Sequence, residues 1–263
     1  MPNYKSPPPL TWHAGRLKDR VIFVTGASSG IGSAAVRLFA EEGAKVVLGA
    51  RRRDMTDMIV KELSDGGHEA MAVTCDVRSE DSVAEAIDAT VARFGRLDGA
   101  LNNAGIAGAH GPLHTHDMSR YDDYLQTNLR GVFLCIKYEV MAMLETGGGA
   151  IVNTNSAAGL KGAPNNSLYC STKWGITGLT RAAALDYADH NIRVNGISPG
   201  PVYSEIMDKL APDEAGLEAM AARFPIRHIA HPDDPCRVAL FLLSDEARWT
   251  TGVTLACDGG ITL

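Results

Sequence analysis

A short apolar run, Val21 to Thr25, passes without a break into Thr25-Gly26-Ala27-Ser28-Ser29-Gly30-Ile31-Gly32, and an apolar helical period begins at once. A strand that ends in a glycine-rich turn and hands over directly to a helix is the opening unit of a layered α/β fold. The glycine spacing is GxxxGxG. Glycine is required where such a turn bends sharply, where the backbone approaches a ligand closely, and where helix packs on strand. The first turn of the helix offers free N–H groups and a positive dipole end, which suit a pyrophosphate.

The alternation continues along the chain. Helical spacing over 31–42 stops at Gly43, 45–50 reads as a strand, a helix over about 54–64 ends at Gly66 and Gly67, and 70–75 reads as the next strand. A helix over 79–94 precedes a strand at 97–101, and a long helix over 121–144 stops at Gly147, Gly148 and Gly149 before a strand at 150–154. Helix 167–188, strand 192–197, helix 232–243 and strand 253–256 complete the series. Connections of this length are not hairpins. The pattern predicts an α/β chain with a Rossmann-type doubly wound sheet of about seven parallel strands and helices on both faces. Nothing reads as a linker, so 20–263 is expected to be one domain, with 1–19 as a Pro-containing N-terminal arm and 200–231 as an irregular substrate-loop or lid insertion.

Composition excludes several classes. With 25 Lys+Arg against 31 Asp+Glu the net charge is -6, which disfavours nucleic-acid binding through bulk charge. No apolar run reaches the ~18 residues of a membrane helix, and Pro7, Pro8 and Pro9 stand where a signal peptide has its apolar core, so a cytoplasmic protein without a membrane partner is expected. Five cysteines, an odd number with no CxxC pair, read as reduced small hydrophobes. His110, His114 and His116 share one loop but lack a Cys or paired carboxylates to complete a zinc set, and no metal is expected.

About 20 residues beyond such a glycine turn, the end of the second strand meets the adenosine ribose, where an acid holds the 2'-hydroxyl of NAD. Here the sequence is Gly49-Ala50-Arg51-Arg52-Arg53, with no carboxylate before Asp54. A small residue followed by Arg leaves room for a 2'-phosphate and supplies a planar, permanently charged fork to bind it. NADP is therefore expected over NAD, with at least one of the three arginines left to solvent. Asp76 and Val77 follow the third strand, where Asp76 can accept from the adenine amino group. Asn102-Asn103-Ala104-Gly105 follow the fourth and let the backbone pass close to the ribose.

Ser156 stands at the end of the fifth strand, and Tyr169 and Lys173 lie at i and i+4 at the start of the next helix, on one helical face. A phenol of pKa ~10 is a poor acid or base at neutral pH, and a shift of ~3 units needs ~4 kcal/mol of differential stabilisation. An ammonium one turn away and a positively charged nicotinamide are candidate sources. Asn128, inside the long helix, is a candidate to kink it and hold a water for proton exchange.

These motifs together resemble the short-chain dehydrogenase/reductase family, in its compact single-domain branch with TGxxxGIG and YxxxK motifs. Thr25 to Gly32, Asn102 to Gly105, Asn128, Ser156, Tyr169 with Lys173, and Pro199 with Gly200 fall in the family's order and at about its spacings. The resemblance implies interconversion of a secondary alcohol and a ketone, with Tyr169 as general acid or base, Lys173 binding the nicotinamide ribose and lowering the Tyr169 pKa, Ser156 orienting the carbonyl and Asn128 anchoring a proton relay. It implies cofactor contacts from Gly26, Ser28, Ser29, Gly30, Ile31, Gly32, Arg51, Asp76, Val77, Asn103, Ala104, Gly105, Tyr169, Lys173, Pro199, Gly200, Val202 and Ser204. It also implies a homotetramer, since Asp258-Gly259-Gly260 resemble a closing segment that commonly lies at a subunit contact. Three positions depart from the usual pattern: Asn155 replaces a common serine, Ser204 a common threonine, and Ser29 is not the basic residue that NADP-using members often carry.

The alternatives are a non-catalytic NADP(H)-binding regulator, against which the intact Ser156, Tyr169 and Lys173 argue, and a lyase or epimerase with a recycled cofactor. Apolar residues over 201–224, among them Val202, Tyr203, Ile206, Met207, Leu210, Leu217 and Met220, recur at roughly helical spacing. They predict a short amphipathic lid that favours a bulky, largely uncharged carbonyl compound.

Overall fold

The computed structural model describes residues 15–108, 110–203 and 213–263. β1 (Val21–Thr25) is buried along its whole length, with Ile22 and Val24 turned to one face and Val21 and Phe23 to the other. A strand apolar on both sides must be covered on both sides, and parallel crossovers supply the helices that do it. β2 (Lys45–Ala50), β3 (Ala70–Thr74), β4 (Gly99–Asn102), β5 (Gly149–Thr154), β6 (Ile192–Pro199) and β7 (Thr254–Cys257) complete one seven-stranded sheet in the order β3-β2-β1-β4-β5-β6-β7. Every pairing is parallel, as the sequence pattern predicts.

α1 (Gly30–Glu41), α2 (Arg53–Asp65) and α8 (Asp233–Leu243) bury Phe39, Leu63 and Leu240 against the Ile22/Val24 face. On the other face α3 (Glu80–Phe94), α5 (Gly131–Thr146) and α6 (Ser167–Tyr187) cover Phe23, Ile151 and Val194. α3 starts where the Ser79 side chain accepts from Ser82 N–H, and it stops at Gly95, whose φ of 77° is left-handed.

The long helix expected over 121–144 is three pieces. α4 (Met118–Tyr124) runs into a π-helical stretch, Leu125–Arg130, before α5 takes over. The wide turn accommodates Asn128, fully buried, whose amide is bonded to the main chain of Ile106 rather than left in the helix interior. Residues 15–19 pack on the domain: Leu17 is fully buried and Arg16 pairs with Glu42 at 3.1 Å. Past β6, α7 (Glu214–Ala221) supplies the expected amphipathic helix, with Leu217, Met220 and Ala221 packed around Tyr203 and Ile229. Ser204, Ile206, Met207 and Leu210 lie outside the described residues. Cys75, Cys135 and Cys236 are buried and all five cysteines are free. Among the described residues no helix is long and apolar enough to cross a membrane.

Candidate active site

β1 has β2 on one side and β4 on the other, so the chain leaves its two central strands in opposite directions and a crevice opens at their carboxyl ends. The Thr25 hydroxyl closes the base of this crevice, accepting from Asn103 N–H at 3.0 Å and Ala104 N–H at 3.1 Å. A cavity of about 790 Å3 runs from there past Ser156 and Tyr169 to Phe224 and Ile261.

The glycine turn is shaped for a close ligand. Gly30 has φ 56°, and a Cβ built there meets nothing within 4 Å, because the position faces the open cavity. A Cβ at Gly32 would fall 2.3 Å from the Gly26 carbonyl oxygen, so that glycine serves the contact of turn and helix. Gly26, Ser28, Ser29, Gly30 and Ile31 line the cavity, as do Val77, Asn103, Ala104, Gly105, Pro199, Gly200 and Val202. Gly32 and Asn128 stand behind that lining.

At the end of β2 the basic cluster is more extensive than Arg51. Arg51 and Arg52 both line the cavity, and Arg52 Nη2 donates to Ser28 Oγ at 2.9 Å and to Ser29 Oγ at 3.0 Å. Asp76 lines it too, but its carboxylate is already held by Arg78, at 2.6 Å from Oδ2 to Nη2. Hydrogen bonds from Arg78, with the charges of Arg78 and Arg51 adding, keep the Asp76 carboxyl below its ordinary value. Three guanidinium groups, Arg51, Arg52 and Arg78, thus line the cavity with Asp76 as its one carboxylate among the described residues, a setting that fits a phosphate-bearing dinucleotide.

At the other end, β5 delivers Ser156, whose Oγ accepts from Ala158 N–H at 3.2 Å in the 3-10 turn Ala157–Gly159. α6 presents Tyr169 and Lys173 toward it. Lys173 is buried, donates to the Thr154 carbonyl oxygen at 2.8 Å, and lies 5.4 Å from the centroid of the Tyr169 ring. The Tyr124 ring meets Tyr169 edge-on at 6.3 Å. Burial pushes the Tyr169 phenol up to about 12, against a lowering hydrogen bond from Ser156, and burial lowers Lys173 to about 8. Desolvation of the phenol thus outweighs the hydrogen bond from Ser156. Asn128 Oδ1 accepts from Ile106 N–H at 2.8 Å and its Nδ2 donates to the Ile106 carbonyl oxygen at 2.9 Å, so it ties the loop after β4 to the π-helical turn.

Residues 26–262 match the family profile of enoyl-(acyl carrier protein) reductases. A γ-butyrolactone reductase of Streptomyces virginiae, the A-factor type 1'-reductase (1S-forming), is 44% identical over 97% of this chain and 100% of its own length. The chain belongs to the short-chain dehydrogenase/reductase family. Another member, cis-4-hydroxycyclohexanecarboxylate dehydrogenase of Sinomonas cyclohexanicum, is 43% identical over 93% of this chain and 97% of its own. Among solved members, levodione reductase superposes with a TM-score of 0.88 at 35% identity, covering 94% of this chain and 98% of that one. As a member of the family the chain is an oxidoreductase that uses a nicotinamide cofactor to interconvert a secondary alcohol and a ketone.

Two side chains that line this cavity, Arg52 and Arg78, lie outside the site expected from the sequence. Arg52 could have been found by its place in the Arg51-Arg52-Arg53 run, but the run does not say which member turns inward. Arg78 carries one signal, a basic residue two positions after an acid that follows a strand, and only the fold brings it to the cavity.

Proposed function

We propose that this protein is an NADP-preferring ketone reductase and secondary-alcohol dehydrogenase, formed by one domain over 20–263 with 200–231 as its substrate segment. A single observation carries the reading: one cavity joins the Arg51, Arg52 and Ser29 cluster at one end to Ser156, Tyr169 and Lys173 at the other. When bound, the nicotinamide supplies or accepts a hydride at the carbonyl carbon.

In reduction, Tyr169 gives its proton to the carbonyl oxygen as negative charge develops there; in oxidation the proton returns. Ser156 donates a hydrogen bond to the same oxygen and orients it. Lys173 places a positive charge beside the phenol, which stabilises the phenolate left after proton transfer, and it would hold the nicotinamide ribose. Asn128 positions the Ile106 backbone, and with it the loop that borders the ribose. A 2'-phosphate would be held by the guanidinium groups of Arg51 and Arg52 and the hydroxyls of Ser28 and Ser29, which line this end of the cavity. Asp76, both of whose oxygens accept from Arg78, would have to share them to accept from the adenine amino group.

The reading includes a cytoplasmic homotetramer. Phe133 and Met141 on α5 and Trp174 on α6 are each more than half exposed, an apolar surface suited to a second copy of the chain. The test is a panel of cyclic and open-chain ketones, among them a 4-oxocyclohexanecarboxylate, scored by loss of reduced-nicotinamide absorbance with NADPH and NADH in parallel. Faster use of NADPH with at least one ketone supports the reading; turnover with NADH alone overturns the cofactor assignment.

A further inference from the structure

The cavity that opens as a cofactor cleft ends in two cations. Beyond Ser156 and Tyr169 its wall is apolar, formed by Val202, Met220, Phe224 and Ile261, but Lys161 and Arg223 also line it. Lys161 follows the 3-10 turn capped by Ser156, and Arg223 follows α7, so the same segments that set the reacting end and the apolar wall also place these charges. Along the described lining the sole carboxylate is Asp76, at the opposite end and already paired with Arg78.

Among the described residues neither cation has an ion pair. Lys161 donates to the Ile261 carbonyl oxygen, and an ammonium has two further donors to offer. Arg223 brings a planar fork matched to a carboxylate, and no hydrogen bond among the described residues occupies it. Both side chains are exposed at this end of the cavity, where an anion would be drawn toward them and bound while an uncharged ligand would gain nothing from either. The apolar lining by Val202, Met220 and Phe224 suits an uncharged body; the two cations alter that requirement at one end of the ligand.

We infer that the substrate carries a carboxylate, held by Lys161 and Arg223 across an apolar body from the reacting carbonyl. This rests on the carbonyl chemistry proposed above and narrows its substrate class to small carboxylated ketones and the matching hydroxy acids.

Two probes separate charge from shape: 4-oxocyclohexanecarboxylate and its methyl ester. Rates are measured with NADPH, and binding of each probe is measured calorimetrically on enzyme saturated with NADP+, where no reduction occurs. The acid is expected to exceed the ester in kcat/KM by about tenfold or more, mainly through KM. Arg223→Leu and Lys161→Met should each cut the acid-to-ester ratio about tenfold, Arg223→Lys should keep most of it, and added salt should weaken the acid alone. Equal use of the two probes, or a ratio unmoved by Arg223→Leu, overturns the inference while leaving ketone reduction intact. If neither ketone is reduced but the acid binds and Arg223→Leu weakens that binding about tenfold, the carbonyl reading fails and the anion site stands.

Discussion

Lys173 Nζ lies 5.4 Å from the Tyr169 ring centroid while its own proton is directed to the Thr154 carbonyl oxygen at 2.8 Å. Burial acts on the pair in opposite senses, lifting the phenol to about 12 and lowering the ammonium to about 8. At neutral pH the phenol is a proton donor and the lysine is charged. Reduction should therefore be level below a pH of about 8 and decline above it as Lys173 loses its charge. A pH profile of kcat/KM with no decline there would show that this charge is not required.

Tyr169→Phe removes only the ionisable oxygen and leaves the ring that Tyr124 packs against. Turnover should fall by roughly 10²–10⁴ or more, with the thermal midpoint and NADPH affinity close to wild type. Steady-state rates combined with cofactor titration by fluorescence check this, and retained turnover would remove Tyr169 from the mechanism.

Arg52 bonds both serine hydroxyls of the glycine turn, so Arg52→Ala should weaken NADPH about tenfold or more and affect NADH far less. Arg51→Ala should act in the same direction. Ala50→Asp should go further and reverse the preference, by placing an acid where a 2'-phosphate would sit and a 2'-hydroxyl would be accepted. Comparison of KM for the two cofactors in each variant is the measurement.

Glu139 on α5 is fully buried under β4 and β5, where Asn102 Nδ2 donates to its Oε2 at 3.0 Å. Burial pushes its carboxyl up to about 8, against the lowering hydrogen bond from Asn102. The folded state then keeps a proton that the unfolded state releases near the ordinary value of 4.5, so this group's contribution to stability declines as pH rises from about 4.5 to about 8. Glu139→Gln should match wild type near pH 5 and melt higher at pH 8, by ~2–4 °C for each kcal/mol recovered. Scanning calorimetry at the two pH values decides it; a variant less stable at both would mean that the carboxyl is held for its hydrogen-bond geometry.

The paired substitutions Phe133→Glu and Trp174→Glu put charge on the exposed apolar faces of α5 and α6. A fall in molar mass by light scattering, with far-UV circular dichroism unchanged, is the outcome expected of a homotetramer assembled through these faces. An unchanged mass would move the interface elsewhere.

Much of this protein is written locally. The turn from Thr25 to Gly32, the glycines that follow α1, α2, α3 and α5, and the doubly apolar strands predict a parallel sheet, because strand and helix periods and left-handed turn positions depend on neighbouring residues. Ser156, Tyr169 and Lys173 are legible for the same reason, being tied to one strand end and one helical face. What the tertiary structure alone decided depends on residues far apart in the chain. Asn128 becomes the tie of a π-helical turn because Ile106 arrives opposite it, and Arg52 rather than any other arginine reaches Ser28 and Ser29. Arg78 claims Asp76 at the cavity edge, and Lys161 and Arg223, more than sixty positions apart, come to line one cavity. The balance of charge and desolvation at Tyr169 belongs to the same class. A residue's chemistry is given by its side chain, but its pKa and its partners are set by what the folded chain packs around it.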